Sequence, residues 1–262
     1  MPLLLKTRYH HERQTELLRQ PPLNSCDYLT PQAIAHLPKA IQHHLQLSGF
    51  MNHPLPMQAD IRWKNVYFKR TFKSALKKMD CTQYNAVTPP CRLAYMRIKY
   101  KGCALIQGRD KYQDGRGNMR IAIGGIVPIV NASGDEMTSS ALLTLLAEAF
   151  LVPGYLLQPY ITWNPISEQT IRATITHQGV SATGTFHFNN NGQLSHFDTN
   201  ERWMAMPDGS YRQTPWRAEI NEYFAQEKLC LPGNMRAIWQ LPEGDYEYFR
   251  GDIFGIDYHN HG

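Results

Sequence analysis

Glu148 is the only charged residue between Glu136 and Glu168, inside the most apolar stretch of the chain, LLTLLAEAFLVPGYLLQPYITWNP (Leu142–Pro165). A lone carboxylate in such surroundings has three uses. In a dry pocket a carboxylate favours its protonated form, which suits a general acid. Beside an arginine it stays charged and orients a ligand. It can also be structural, accepting arginine or backbone hydrogen bonds where a helix meets a sheet. Arg109 and Arg202 are the candidate arginines. Tyr112, Trp163 and Trp216 are the candidate walls of a ligand site, since aromatic walls carry binding and a few polar groups set orientation. The alternative for these aromatics is the core of a large sheet.

Other clusters carry less chemistry. In GRDKYQDGRGNM (Gly108–Met119), Asp110 and Asp114 near glycines suggest a calcium loop. Lys111, Tyr112 and Gln113 break the alternating ligand pattern, however, and Arg116 opposes a cation. Asp114-Gly115-Arg116-Gly117 reads instead as a turn between strands. The histidines, among them His43-His44, His177, His187, His196, His259 and His261, show neither HExxH nor zinc-ligand spacing, and His259 and His261 fall in a terminal tail expected to fray. No metal and no cofactor are expected. There is no GxSxG elbow and no GxGxxG after a strand. The five cysteines (Cys26, Cys81, Cys91, Cys103, Cys230) form no CxxC pair and are odd in number, so buried free thiols in a reducing compartment are the simplest reading.

The elements that would position these residues fall into two regions: a helical segment over 1–56, packed on an antiparallel β domain over 57–262. Thr30-Pro31 offers a helix start, Leu37, Ile41 and Leu45 share one face, and Gly49 supplies a stop. Beyond residue 57 the period becomes that of strands. RLAYMRIKY (Arg92–Tyr100) alternates, with Leu93, Tyr95, Arg97 and Lys99 on one face. Gln178-Gly179, Asn190-Asn191-Gly192, Asp208-Gly209 and Glu243-Gly244 are turn signals. About ten strands with short turns imply up-and-down antiparallel pairing. One helix, roughly 140–152, interrupts them and ends at Pro153-Gly154. Its leucines fill one arc of the helical wheel. Ala141, Thr144, Ala147, Glu148 and Leu151 form a small, nearly uncharged back face. The helix is therefore expected to lie between layers, leucines in the concavity of a curved sheet and back face toward the N-terminal helices. The fold class is α+β: a large curved antiparallel β-sheet, half-barrel-like, with one inserted helix and the N-terminal helices against it.

Four stretches, LPKAIQHHLQLSG (Leu37–Gly49), DKYQDGRGNMRI (Asp110–Ile121), LLAEAFLVPGYLL (Leu145–Leu157) and the segment from ERWMAMPDGSYRQTPWRAEINEYF to GDYEYFRGDIFGIDY, together resemble a widespread, uncharacterised bacterial family known only as a domain of unknown function. The resemblance implies no activity. It implies a curved half-barrel with helices on the concave side, similar to bacterial lipoprotein carriers. The chain departs from the family pattern at Thr144 and Leu145, where an arginine-tyrosine pair is common, and at His43-His44, which replace a similar pair.

The net charge of +5 is mild but uneven. Arg62 to Lys78 holds seven basic residues and no acid, whereas Glu219 to Asp257 holds eight acids and three bases. Such segments suit neighbouring strands, where opposite charges pair. The interleaved Trp63, Tyr67, Phe68 and Phe72 also fit a nucleic-acid patch, but a half-buried strand has the same pattern, so nucleic acid is not the expected partner. No apolar run reaches the ~20 residues needed to span a bilayer, and the N-terminus lacks signal-peptide order. A cytoplasmic protein is expected. The leading reading is a binding protein for an apolar or amphipathic small molecule or lipid, with Glu148 and Arg109 or Arg202 as its polar handle. The alternatives are a hydrolase-like enzyme using Glu148, or a partner-binding module, which would show an exposed apolar patch and no cavity.

Overall fold

The computed structural model describes residues 4–19, 28–100, 104–206 and 208–259. Cys26, Cys103 and His261 lie outside them. The described chain is mostly β, rather than the α+β balance expected. Three α-helices, α1 (Leu5–Arg19), α2 (Lys39–Leu47) and α3 (Asp135–Ala147), accompany fifteen strands. Six precede α3: β1 (Gln58–Phe68), β2 (Lys77–Ala86), β3 (Cys91–Tyr100), β4 (Ala104–Gln113), β5 (Arg116–Ile123) and β6 (Val127–Ser133). Nine follow: β7 (Ile161–Pro165), β8 (Thr170–His177), β9 (Val180–Phe188), β10 (Leu194–Thr199), β11 (Trp203–Ala205), β12 (Tyr211–Gln213), β13 (Trp216–Gln226), β14 (Leu229–Leu241) and β15 (Gly244–Tyr258).

Thirteen strands form one antiparallel sheet in the order β6-β5-β4-β3-β2-β1-β15-β14-β13-β10-β9-β8-β7, and β11 and β12 form a separate ribbon. The first and last strands of the sheet meet at its centre. The chain walks out to one edge through β6, crosses to the opposite edge through α3, and walks back. Short turns make this meander local. Asp114 and Gly115 both take positive φ, 51° and 73°, as a tight two-residue hairpin requires. The basic and acidic segments do become neighbours: β1 pairs with β15, and Arg62 Nε lies 3.1 Å from Asp257.

Because strand side chains alternate, the two faces of β2–β4 carry different chemistry. Tyr84, Leu93 and Tyr95 face outward and cover Leu5 and Tyr9 of α1 in a second, smaller core. Ion pairs stitch α1 there: Arg109 and Lys111 to Glu12, and Arg13 to Asp60. The opposite face looks onto α3. The helix is buried from Ala141 to Ala147 and packs mainly on β4–β6 along one flank and β8 and β9 along the other. Gly117 permits the close approach on β5. A Cβ there would lie 2.4 Å from the Met137 carbonyl oxygen and 2.7 Å from the Thr138 Cα.

Three expectations need correction. The central helix starts five residues earlier than read and ends at Ala147, with separate 3-10 turns over Ala149–Leu151 and Pro153–Leu157. Its back face does not meet the N-terminal helices: α1 lies on the other side of the sheet, and α2 joins the main core through Ile41, Leu45 and His44. His259 is held rather than frayed, with Nε2 2.6 Å from Asp60 Oδ2.

Candidate functional site

Glu148 is the residue at the C-terminal cap of α3, with φ −94° and ψ 4°. A carboxylate at that end opposes the helix dipole, so it needs a cation. The cation is Arg92 of β3. Its Nε donates to Glu148 Oε2 at 2.7 Å and its Nη2 to Oε1 at 3.0 Å, the bidentate geometry that suits guanidinium and carboxylate. Nη1 donates to Asp110 Oδ2 at 2.8 Å. Gln83 adds a third donor to Glu148 at 2.6 Å, and its own amide oxygen accepts from the Trp63 indole at 3.2 Å. Burial alone would lower the pKa of Arg92, but Glu148 and Asp110 outweigh it and hold the guanidinium above its ordinary value. Asp110 Oδ1 is enclosed and has no partner among the described residues.

The backbone after the helix sets this network in place. The Tyr155 hydroxyl, fully buried, lies 2.6 Å from the Ala86 carbonyl oxygen and 3.0 Å from that of Cys91, tying the 3-10 turn to the start of β3. Arg92 and Asp110 follow from strand alternation. They share the concave face with Ala94, Met96 and Tyr112, opposite the face of Leu93 and Tyr95.

Between the back face of α3 and the central strands lies a cavity of about 140 Å³. α3 reaches the two flanks of the sheet, and the curvature leaves this space in the middle. Thr144, Ala147 and Glu148 form its helical wall. Gln83, Arg92 and Asp110 give it a polar floor, and Met96, Met119, Met235, Trp63, Phe249 and Ala218 give it apolar sides. Cys81 also lines it, but burial pushes that thiol up to about 12, so it is no nucleophile near neutral pH. Arg202 closes another side. Its Nη1 donates to the Ser140 carbonyl at 2.8 Å and to Thr144 Oγ1 at 2.5 Å, and its guanidinium stacks 4.4 Å from the Trp216 ring. Position 144 is where the family resemblance leads one to expect an arginine. Here Arg202 brings one to it from outside the helix.

Of the six expected site residues, Glu148, Arg202 and Trp216 line the cavity. The other three do not. Arg109 points to the outer face, paired with Glu12 and Asn118. The Tyr112 hydroxyl bonds His177 Nδ1 at 2.7 Å within the core, and Trp163 packs on Phe150 and Phe186. Arg92, Asp110 and Gln83 were missed as partners of Glu148. The alternation of RLAYMRIKY held a signal for Arg92, since it falls on the face opposite Leu93. Asp110 and Asp114 form no joint cation site: Asp114 sits in the hairpin turn, 2.6 Å from Arg19. The apolar patch expected of a partner-binding module is present on the β5–β6 edge, at Ile123, Ile126, Val127, Ile129 and Val130. The cavity that such a module would lack is present as well.

Residues 27–251 match a family of unknown function, DUF6544. The chain belongs to that family. The match takes in three of the four stretches that carry the resemblance and the fourth up to Gly251. No curated protein matches the chain. Among solved structures it is similar to a LolA superfamily protein from Nitrosomonas europaea (9% identity, TM-score 0.36, covering 83% of this chain and 93% of that one). It is also similar to a DUF1329 family protein from Desulfovibrio piger (8% identity, TM-score 0.36, 84% and 90% covered). No helix among the described residues is long and apolar enough to cross a membrane.

Proposed function

We propose that the protein binds a small, mostly apolar molecule carrying one hydrogen-bond-donating group, in the cavity behind α3. The observation that supports this most is the contrast within one partly open cavity: three methionines and aromatic walls beside a floor of paired charges, with an unpartnered acceptor, Asp110 Oδ1, and the unpartnered Nε donors of Arg202 and Arg236. Methionine side chains adapt to varied apolar shapes. Glu148 and Asp110 balance Arg92 and Arg202, and Arg236, the third arginine of the lining, is paired with Glu219 and Glu247, so the site suits a neutral polar group better than a net ion. An apolar cavity of about 150 Å³ takes a molecule of benzene size. A long acyl chain fits only by extending past the half-exposed rim of Phe68, Met96, Tyr248 and Phe249. Catalysis by Glu148 is the weaker reading. Its carboxylate is committed to a bidentate ion pair, and proton transfer through it would first have to break that pair.

Calorimetric titration with benzyl alcohol and with toluene tests the proposal. Both should bind the wild-type chain, the alcohol more tightly, and neither should bind Ala218→Leu, which fills the cavity. Failure of both to bind wild type at millimolar concentration would remove the proposal.

A further inference from the structure

We propose that His187, His196 and Asp198 form a binding site for a divalent transition-metal ion on β9 and β10, outside the cavity. His187 and His196 are register partners on adjacent antiparallel strands. Their side chains therefore leave the same face, and Asp198, two residues along, shares it. Each imidazole Nε2 lies 3.6 Å from Asp198 Oδ2, and the three donor atoms all lie within 4.8 Å of one another. A point equidistant from three such atoms is about 2.1 to 2.4 Å from each, which includes zinc–nitrogen and zinc–oxygen bond lengths.

Neighbouring groups prepare the donors. Ser195 Oγ donates to the His187 carbonyl at 2.8 Å, so it meets His196 Nδ1, 2.9 Å away, as an acceptor. Nδ1 then carries the proton and Nε2 presents its lone pair. Metal-binding histidines are commonly oriented in this way through the other ring nitrogen. Arg217 holds Asp198 with Nε on Oδ1 at 2.7 Å and Nη2 on Oδ2 at 2.9 Å, and a carboxylate oxygen so engaged keeps a second lone pair. Glu219, 3.7 Å from Arg217, offsets the arginine's charge.

The imidazoles stack with centroids 4.2 Å apart and planes 8° from parallel. Lone pairs lie in the ring plane, so both rings must tilt to meet one ion. All three side chains are about a quarter to a third exposed, which gives them room and gives a hydrated ion access. Two imidazoles and one carboxylate suit zinc, nickel, cobalt or copper rather than magnesium or calcium, which prefer all-oxygen shells. Three protein ligands leave at least one position for water or an outside group. Eight residues separate the two histidines in sequence, which matches no HExxH or zinc-ligand spacing, and only strand register brings them together.

The test is calorimetric titration of tag-free, chelator-stripped full chain with zinc and nickel chlorides, with cobalt(II) absorption as an independent readout. Wild type should bind one equivalent, with intense visible cobalt bands of low coordination number. His187→Gln, His196→Gln and Asp198→Asn, each checked for fold by circular dichroism, should each bind at least about tenfold more weakly. Absence of equimolar binding to wild type would overturn the proposal. So would binding that none of the three substitutions weakens, since the ion would then sit on other histidines.

Discussion

Arg92 decides what Glu148 is. With Glu148 and Asp110 both on its guanidinium, Arg92→Met leaves two enclosed carboxylates without their cation, and removal of one member of a buried pair costs about 3–5 kcal/mol. Replacing charge with apolar volume on both sides avoids that penalty. Denaturant unfolding of Arg92→Met, Glu148→Met and the double variant should therefore show a double-variant loss well below the sum of the single losses. Additive losses would mean that the pair is not coupled. Glu148 was legible in the sequence as the one charge in an apolar run. Its partner was not, because Arg92 lies 56 positions away and only the β2–β3–β4 register carries it to the helix end. His44 is a second residue with a readable consequence. It is buried against Phe150, with Nδ1 3.3 Å from the Gly192 carbonyl oxygen, and burial lowers its pKa from 6.5 to about 4. The unfolded chain thus takes up this proton first as pH falls. Stability from this site is complete above about pH 6.5, declines between 6.5 and 4, and levels off below, a total on the order of 3 kcal/mol. Unfolding midpoints across that range should fall for wild type, and His44→Leu should remove this part of the slope.

At the scale of elements, α3 is the hinge of the design. It carries the chain between opposite sheet edges and forms one wall of the cavity. Spacing alone set Thr144, Ala147 and Glu148 apart from the leucines, and these three form the helical wall of the cavity; Leu151, expected on the same face, belongs to a separate 3-10 turn. What the small face meets was beyond the sequence, because sheet curvature sets it. The helix start was misread for a local reason. Thr138, Ser139 and Ser140 resemble capping residues, whereas the helix begins after Gly134, with Asp135 and Glu136 in the first turn where the dipole favours acids. The seat of α3 depends on Gly117. In Gly117→Val the added Cβ meets helix backbone, which has no flexible end to move aside, so the helix must shift from β5 at a cost of about 1–3 kcal/mol or more. Thermal unfolding should show the loss, and binding in the cavity should weaken with it. A variant as stable as wild type would place the helix farther from β5.

For the whole molecule, turns and alternation were enough to read an antiparallel up-and-down meander, because hairpin chemistry is local; the curvature came from the family resemblance. The strand count was low, and α1 was assigned to the wrong side. Leu93 and Tyr95 share a strand face with Arg97 and Lys99, and nothing local says that a helix from residues 5–19 covers it. The cavity is also a property of the whole. It exists because thirteen strands curve around a helix that touches only their flanks. Filling it should therefore separate stability from binding. Ala218→Leu adds apolar contact in free space and should raise stability by about 1 kcal/mol while abolishing ligand uptake. The most direct measurement is native mass spectrometry of the chain purified from its own cells, beside Ala218→Leu purified identically. A small bound molecule, released on denaturation, is expected in wild type and not in the variant. Wild-type protein at its bare chain mass, or the same adduct on both, would contradict ligand binding in the cavity.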